Sequence, residues 1–294
     1  MTTAVLAPEA AAVAARRRAM APGTYGIVAI SIAVIAIMAA PIVLSALASI
    51  KTAADASAIP PHYLPRALSL ENYAKVVGFQ ASLATYVGNS ALVAAMTIAA
   101  CLALAAPAGY GLARFAMRGK EIAFLILLAP IMIPYQAILT PLYLDFARVG
   151  LVNTHIGLAI VHTLLQLPFS IFLMRASFET IPREIEEAAV IDGCSTWQRL
   201  TRVFLPLAVP GLVTVALFAF INSWNEFLAA LIFMNRNTSF TVPILLVSVR
   251  AGKFGAVDWG ALQASVIISI IPSLAVYLAL QRYYISGLLS GAVK

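Results

Sequence analysis

Five uncharged amide side chains within apolar stretches are the residues best suited to bind a polar solute. They are Asn89, Gln136, Gln166, Asn222 and Asn225. An amide both donates and accepts hydrogen bonds, so these side chains suit the hydroxyl groups of a polar solute. An unpaired polar group in an apolar medium costs free energy, so each of them needs a partner. They suit hydrogen bonds between neighbouring helices equally well, and the sequence leaves the two interpretations open.

The sequence lacks the motifs of the common catalytic sites. Its two Gly-Lys pairs, at residues 119–120 and 252–253, lack the first glycine of a G-x-x-x-x-G-K-[ST] phosphate-binding loop, and neither G-x-S-x-G nor H-E-x-x-H occurs. The three histidines are scattered, at His62, His155 and His162. The last is expected to pack inside the protein rather than to bind a ligand. We therefore expect no catalytic residue, no metal site and no cofactor in this chain.

A charged segment, residues 175–206, lies between apolar stretches and carries four basic and five acidic residues. Its pattern predicts two short helices. Pro182 suits the first helical position, and the glutamates that follow it suit the positive end of a helix dipole. Gly193 suits the C-terminal cap, and the S-T-W-Q run at 195–198 has the form of a capping box that starts the second helix. The Leu-Pro pair at 205–206 is expected to end that helix.

The first of these two helices has an apolar face. Its members, at helical spacing, are Ile181, Ile185, Ala188 and Ala189. Such a face has to be buried, either on a bilayer or in a groove of another protein. The acidic residues beside it disfavour the membrane surface, which attracts Lys and Arg. The pattern therefore favours a protein partner.

The composition indicates which elements must position these residues. The 294-residue chain is 62% hydrophobic and 11% charged, with a mean hydropathy of +0.94, which is too apolar for a water-soluble domain. Charge-free windows long enough to cross a bilayer run over residues 19–50, 76–113, 122–144, 149–174, 203–225 and 259–281. They are apolar on every face and so predict helices rather than barrel strands. The sequence predicts an all-α polytopic membrane protein with six transmembrane helices, the fifth continuing to about residue 233.

Two features of these windows bear on helix packing. The second window has an alanine at every fourth position from 91 to 103, which either lets another helix approach closely or reflects a high alanine content. The third window holds three prolines between 130 and 141. Each favours a kink, because proline removes a backbone hydrogen bond.

Basic residues indicate the orientation in the membrane. With the N-terminus in the cytoplasm, the cytoplasmic segments hold 12 of the 19 Lys and Arg residues and the outer segments hold seven, in the direction of the known cytoplasmic enrichment. These loops account for the net charge of +7, and no basic stripe interleaved with aromatic residues indicates nucleic acid. We expect a multi-pass membrane protein with both termini in the cytoplasm. Its predicted parts are an N-terminal tail (1–24), a six-span domain (25–285) with a cytoplasmic loop (179–206), and a C-terminal tail (286–294).

The charged loop resembles the EAA loop of binding-protein-dependent ABC importer permeases. The resemblance rests on E-A-A at 187–189, on Gly193 and on the Leu-Pro pair, with Val203 where the family pattern has Ile. It implies that the loop couples the membrane domain to a separate ATPase. The residues implied in coupling are Glu187, Ala188, Ala189, Asp192, Gly193, Val203, Leu205 and Pro206.

The rest of the chain, roughly residues 25 to 294, resembles the carbohydrate importers of the maltose type, in particular their six-span subunit. The matching segments are A-G-Y-G-L-A-R-F at 108–115, P-L-Y at 141–143, G-L-V-N-T at 150–154, S-W-N-E-F at 223–227 and the tail at 286–294. The resemblance implies the type I ABC importer permease fold.

The resemblance also implies a location in the bacterial inner membrane, a function and a set of partners. The chain would be the permease subunit of an ATP-driven, binding-protein-dependent sugar importer that works by alternating access. Its implied partners are a homologous second permease, two ATP-binding subunits that hold ATP and Mg²⁺, an extracytoplasmic sugar-binding protein and the lipid bilayer. The resemblance does not indicate which sugar is carried.

The sequence disfavours two other functions, an ion-coupled transporter and a membrane enzyme. An ion-coupled secondary transporter buries ionisable groups midway across the membrane and shows internal repeats. Here Glu226 is the only acid near a span, it is expected near the outer interface, and no convincing repeat is found. A membrane enzyme needs a cluster of catalytic side chains at one interface, and the sequence has none.

Overall fold

The computed structural model describes residues 22–250 and 257–292, with side chains for 25–250 and 257–281. Over these residues the regular structure is helical, apart from an isolated bridge between Lys51 and Leu68. The predicted all-α class is therefore confirmed. In chain order the helices are α1 (Pro22–Ser49), α2 (Ala53–Ala56), α3 (Glu71–Val77), α4 (Leu83–Arg114), α5 (Lys120–Met132), α6 (Tyr135–Arg148), α7 (His155–Glu179), α8 (Arg183–Ile191), α9 (Thr196–Leu207), α10 (Val209–Asn225), α11 (Leu228–Phe233), α12 (Val242–Arg250) and α13 (Trp259–Ala292).

The two predicted tails are described only in part. Residues 1–21 lie outside the described residues, and α1 already includes the last three positions of the predicted N-terminal tail. At the other end, α13 continues through the predicted C-terminal tail as far as Ala292. The last span and most of this tail are therefore one helix.

Four helices, α1, α4, α7 and α13, are long and apolar enough to cross a membrane. Two further candidates are bent pairs, in which α5 meets α6 at 96° and α9 meets α10 at 79°. Counting each bent pair as one span gives up to six, which is the predicted number.

The third predicted window is a broken helix rather than a kinked one. The α-helical part of α5 ends at Leu128, a 3₁₀ turn covers Ala129–Met132, and α6 begins at Tyr135. Pro134 occupies the position directly before α6 in an extended conformation. Because proline has no N–H and disfavours helical geometry in the residue before it, the break falls here. The proline at 141, by contrast, lies inside α6.

The fifth predicted window also differs from the structure. The helix that starts at Thr196 continues past the Leu-Pro pair to Leu207 and includes a π-helical segment, Arg199–Phe204, before the chain turns at Ala208. The predicted end at the Leu-Pro pair is wrong by one residue. The predicted continuous helix to residue 233 is also wrong, because the chain leaves helical geometry at Glu226 and restarts as α11.

The centre of the molecule is the contact of α4 with α7, and α10 packs against both. The two helices approach most closely at Gly109, where an added Cβ would lie 2.7 Å from the Cβ of Met174 and 2.8 Å from the backbone nitrogen of Arg175. A buried apolar cluster surrounds this contact and includes Cys101, Tyr110 and Phe178.

Two helix faces stay exposed in this chain. The alanines of α4 at positions 91, 95, 99 and 103 all point away from the contact with α7. Helix α1 packs against α13, yet its large aliphatic side chains between Ile27 and Leu44 are exposed. Lipid or another subunit has to cover these faces.

Loops gather at the two ends of the bundle. At one end, Lys75 pairs with Asp258 at 3.1 Å, and the backbone amide of Asn153 donates to the carbonyl of Phe233. At the same end, the backbone amide of Arg66, followed by His62, lowers the pKa of the Asp55 carboxyl. The segment that contains α8 lies at the opposite end, beside the last residues of α4.

The close approach at Gly109 predicts a large difference between two Gly→Ala substitutions in α4. Gly109→Ala places a methyl group against the α7 backbone and is expected to lower the free energy of unfolding by about 1–3 kcal/mol through overpacking. Gly88→Ala is the matched control, because no atom lies within 4 Å of its added Cβ. Thermal unfolding in detergent checks the pair. Equal melting temperatures for the two variants would contradict the described packing.

Candidate functional site: a capped hairpin and a polar cleft

The predicted helical hairpin is present, with its caps. Helix α8 ends at Ile191, and Gly193 follows with φ +75°, the left-handed conformation expected of a C-terminal glycine cap. Ser195 and Gln198 form both hydrogen bonds of the capping box: the Ser195 amide donates to Gln198 Oε1 at 2.8 Å and the Gln198 amide donates to Ser195 Oγ at 3.3 Å. The prediction for Pro182 is wrong by one residue, since it precedes the first helical residue rather than occupying it.

The apolar face of α8 is buried inside this chain, which corrects the expectation that a partner covers it. Ile181 and Ala189 are buried, and Ile185 packs against the same core beneath α4 and α7. Of the four predicted members only Ala188 is exposed.

A different apolar surface of the hairpin is exposed. Its members are Val190, Ile191 and Trp197, which are 53%, 86% and 67% exposed. Sequence spacing identified an apolar face but could not indicate which neighbour would bury it. This second set, which we call the hairpin tip, is the one that remains free to meet another protein.

Glu186 holds the hairpin to the membrane helices through a group of partly buried polar side chains. Its carboxylate accepts hydrogen bonds from Tyr110 Oη at 3.2 Å and from Arg199 Nη1 at 3.1 Å, and it lies 4.0 Å from Arg114 Nη1. Tyr110 and Arg114 belong to the last turns of α4, and Arg199 belongs to α9. The carboxylate of α8 therefore connects α4 to α9.

Arg114 makes a second set of contacts between the hairpin and the membrane helices. Its guanidinium donates to the carbonyls of Phe178 and Ile181, at the C-terminal end of α7 and just beyond it. It also lies over the ring of Phe204, 4.8 Å from the centroid. The hairpin thus rests on the ends of both central helices.

The eight residues implied in ATPase coupling divide into two groups. Ala189, Val203 and Leu205 are buried in or packed against the core of this chain. The exposed ones are Glu187, Ala188, Asp192, Gly193 and Pro206. Glu187 lines a small pocket of about 400 Å³ between α8 and the end of α4.

A cleft of about 1050 Å³ lies between the break that separates α5 from α6 and the facing sides of α7 and α10. Gln136, Gln166 and Asn222, three of the five amides singled out in the sequence, line it. The other two lie elsewhere. Asn89 donates to the carbonyls of Thr238 and Phe240.

The fifth amide, Asn225, is exposed and donates to the carbonyl of Ile221 within its own helix, at 2.8 Å. Hydrogen bonding between helices is seen for Asn222 and Gln166, while solute binding by these amides stays a prediction. Asn89 and Asn225 bind backbone, whereas the other three amides point to the cleft.

Polar side chains of α7 and α10 face each other along one wall of this cleft. Asn222 Nδ2 donates to Gln166 Oε1 at 2.5 Å. His162 shares a hydrogen bond of 2.8 Å with Ser223, and its Nε2 lies 3.4 Å from Glu226 Oε2. His162 is buried, as expected, although it also borders the cleft.

Glu226 lies partly buried at the break between α10 and α11. Its carboxylate accepts from the backbone amides of Ala229 and Ala230 at 2.8 and 3.0 Å, and from Tyr135 Oη at 3.4 Å. It therefore satisfies two of the first backbone amides of α11, which have no partner within that helix.

Sequence reasoning missed Arg114, Glu186 and Arg199 as functional residues. A signal for Arg114 was available, because it lies in the A-G-Y-G-L-A-R-F segment at the end of a span. The sequence carried no signal for the pairing of Arg114 with Glu186, because 72 residues separate them and only the folded chain brings them together.

A bundle of bent helices with a polar cleft between its breaks and a docked hairpin at one end defines the membrane subunit of a transporter. The chain belongs to the family of binding-protein-dependent transport system inner membrane components, whose model matches residues 103–289. Members of this family are the permease components of ABC importers and are not themselves catalytic.

Known proteins agree with this assignment. The probable ABC transporter permease protein YurM of Bacillus subtilis is 36% identical over 231 residues, covering 79% of this chain and 76% of that protein. The trehalose/maltose transport system permease protein MalG of Thermococcus litoralis is 32% identical over 227 residues, covering 77% of this chain and 81% of that protein.

Among solved structures, a chain from a bacterial ABC transporter involved in the import of the acidic polysaccharide alginate matches with a TM-score of 0.77. The match covers 91% of this chain and 99% of that chain at 24% identity. The predicted family and the predicted importer permease fold are thus confirmed, and the ion-coupled transporter is set aside.

The contacts of Arg114 predict that α8 becomes less stably packed when the guanidinium is removed. Arg114→Met leaves the carbonyls of Phe178 and Ile181 without their donor, at a cost of about 1–3 kcal/mol. Amide hydrogen exchange in α8 is then expected to become roughly ten- to a hundredfold faster. The control is Arg118→Met, an exposed arginine in the turn between α4 and α5. Unchanged exchange in the first variant would show that α8 is held by other contacts.

Proposed function

We propose that this chain is the permease subunit of an ATP-driven importer of saccharides, with a homologous second permease forming the other half of the path. The observation that carries the proposal is the capped hairpin docked on the ends of α4 and α7, with an exposed apolar tip. Saccharides are proposed from the amides and hydroxyl groups of the cleft. The names of the similar proteins include trehalose/maltose and an acidic polysaccharide, so they leave the charge of the solute open.

The hairpin tip is the proposed contact with a separate ATP-binding subunit. An amphipathic hairpin with exposed Val190, Ile191 and Trp197 is suited to a groove on another protein. Two such subunits would bind ATP and Mg²⁺, and the exposed coupling residues, including Glu187 and Gly193, would lie at the contact. Movement of the hairpin reaches α4 and α7 through Arg114 and Glu186, which supports alternating access as the mechanism.

The proposed orientation places the hairpin and both termini in the cytoplasm. The opposite end then faces outward and offers the loops near Asp55 and residues 234–241 to an extracytoplasmic binding protein. This arrangement agrees with the distribution of 12 and seven basic residues between the two sides. The C-terminal tail, 286–294, would point toward the ATP-binding subunits.

The assembly can be tested by using this chain as bait in a pull-down from detergent-solubilised membranes, followed by mass spectrometry. Recovery of an ATP-binding subunit, a second permease and an extracytoplasmic binding protein is the expected result. If the chain were recovered alone and carried solute without ATP, the proposal would be wrong.

The exposed hairpin tip predicts that a substitution there weakens binding of the ATP-binding subunit, whereas a substitution at the other end of the molecule does not. Ile191→Ser removes a large exposed apolar side chain, and burial of such a side chain contributes about 1.5–3 kcal/mol. We expect the affinity for the ATP-binding subunit to fall at least about tenfold. The control is Ile59→Ser, whose side chain is 96% exposed at the other end of the molecule. The measurement is co-purification at graded ATPase concentration, and equal recovery with both variants would exclude the tip as the contact.

A further inference from the structure

The loop between α11 and α12, residues 234–241, is held at its start by one asparagine from the turn between α6 and α7. The backbone amide of Asn153 donates to the carbonyl of Phe233 at 2.8 Å, and its Oδ1 accepts from the amide of Asn235 at 3.0 Å. Asn153 has φ +59°, a conformation that asparagine adopts more readily than most residues. The first residues of the loop are therefore fixed by contacts from a distant part of the chain.

The end of the same loop is attached to the second turn of α4. Asn89 Nδ2 donates to the carbonyls of Thr238 and Phe240 at 2.8 and 2.9 Å. One amide nitrogen carries two hydrogens, so a single asparagine can satisfy both carbonyls. The buried Ser90 Oγ accepts from the amide of Val242 at 2.9 Å. This amide opens α12 and has no partner within that helix.

The part of the loop between these attachments is exposed and polar. Residues 235–238, which we call the outer loop tip, are two asparagines, an arginine and a threonine, and all four are exposed. The amide of Ser239 donates to the carbonyl of Arg236 at 2.9 Å and closes the turn. No acidic residue occurs in the sequence from 227 to 257. A cation with amide and hydroxyl groups around it fits an acidic surface that also forms hydrogen bonds.

A loop that is shaped before it meets a partner binds at a lower entropic cost. Fixing the backbone of each residue costs conformational free energy, and a loop ordered in advance does not lose that freedom on docking. Asn89, Ser90 and Asn153 bind the backbone of the loop and lie outside its exposed tip. Their contacts therefore determine the shape of the tip without adding a side chain to it.

We propose that Asn89, Ser90 and Asn153 are positioning residues for the docking of the extracytoplasmic binding protein, and that the outer loop tip meets an acidic, hydrogen-bonding face of that protein. The proposal rests on the proposed import function, which supplies the partner. It adds the residues that shape the contact and the charge of the surface that the contact requires. The three positioning residues act through the loop backbone.

The first test converts both donors of Asn89 into an acceptor at nearly constant size. Asn89→Asp places a carboxylate against the carbonyls of Thr238 and Phe240, and their repulsion releases the loop. The full complex is reconstituted in nanodiscs. Its ATPase rate is then measured against the concentration of the binding protein recovered in the pull-down, kept with the ligand that co-purifies with it. The half-saturating concentration is expected to rise at least about tenfold, and the rate at saturation is expected to be retained.

The matched control for this variant is Asn225→Asp. It makes the same chemical change at an exposed side chain that donates to the carbonyl of Ile221 in its own helix, so the half-saturating concentration is expected to stay unchanged. If Asn89 only stabilised the fold, Asn89→Asp would lower the rate at saturation and the melting temperature of the complex without changing the half-saturating concentration. That result overturns the proposal.

A second variant keeps the test decisive if Asn89→Asp does not assemble. Ser90→Ala removes one hydrogen bond to the loop and is expected to raise the half-saturating concentration about threefold or more. An unchanged value in an assembled Ser90→Ala complex contradicts the positioning role.

The charge of the partner surface is tested at the tip itself. Arg236→Gln keeps an amide and removes the cation, so the half-saturating concentration is expected to rise and to depend less on ionic strength. Arg118→Gln, at an exposed arginine at the opposite end of the molecule, is the control. An ionic-strength dependence equal to that of the unaltered complex shows that the tip does not meet an acidic face.

The outcomes separate the positioning role from the import function. If the binding protein does not stimulate the ATPase activity of the unaltered complex, the proposed function itself fails. If it does, and Asn89→Asp gives the same half-saturating concentration as Asn225→Asp, the import function stands and only the positioning role is wrong.

Discussion

A backbone inside a bilayer has to satisfy its own hydrogen bonds, and the architecture of this chain follows from that constraint. Where the helices run unbroken, as in α4 and α7, the peptide groups bond within their own helix except around Pro107 and Pro168. Where they are interrupted, side chains must replace the missing partners. Glu226 does this at the start of α11 by accepting from two backbone amides. The break before α6 instead uses Pro134, which has no N–H to satisfy.

The two interruptions also make the cleft. It opens between the broken α5–α6 pair and the side of α10 that leads into the break at Glu226. Polar groups are concentrated there because irregular backbone within a membrane is tolerated only where protein or a water-filled cavity surrounds it. The hairpin lies at the far end of the same helices and is attached to them by Arg114 and Glu186. Helix α7 therefore reaches from the surface that would receive the ATPase to the wall that would receive the solute.

Local patterns in the sequence were sufficient for the helices and their caps. The charge-free windows, the glycine at 193 and the capping box at 195–198 each depend on residues close together in the chain, and the structure has all of them. Details that depend on distant residues could not be predicted. Three prolines in the third window were equivalent by sequence, and the break falls at Pro134. At the end of α10, Glu226 contacts Tyr135 and His162, which lie on other helices and far away in the sequence.

The same limit applies to the candidate site. Three of the five predicted amides line the cleft. Periodicity could not show that Asn89 reaches the backbone of a loop 149 residues away, or that Gln166 and Asn222 meet in the cleft. It also could not show that the face of α8 is buried within the chain while the hairpin tip stays exposed, because both sets consist of apolar residues of the same short segment. Only the packing of α8 on the ends of α4 and α7 decides between them.

The π-helical segment at Arg199–Phe204 sets the rotational register between the hairpin and the membrane helices. A π turn holds one residue more than an α turn, so the residues before and after it are offset by about 100° relative to a regular helix. Loss of a single residue from this segment would turn the start of α9 about its own axis by that angle. Arg199 would then no longer face Glu186, although every other residue type in the hairpin would be retained. Chain length in this segment therefore matters as much as residue identity, and a one-residue gap here in a related chain marks a differently oriented hairpin.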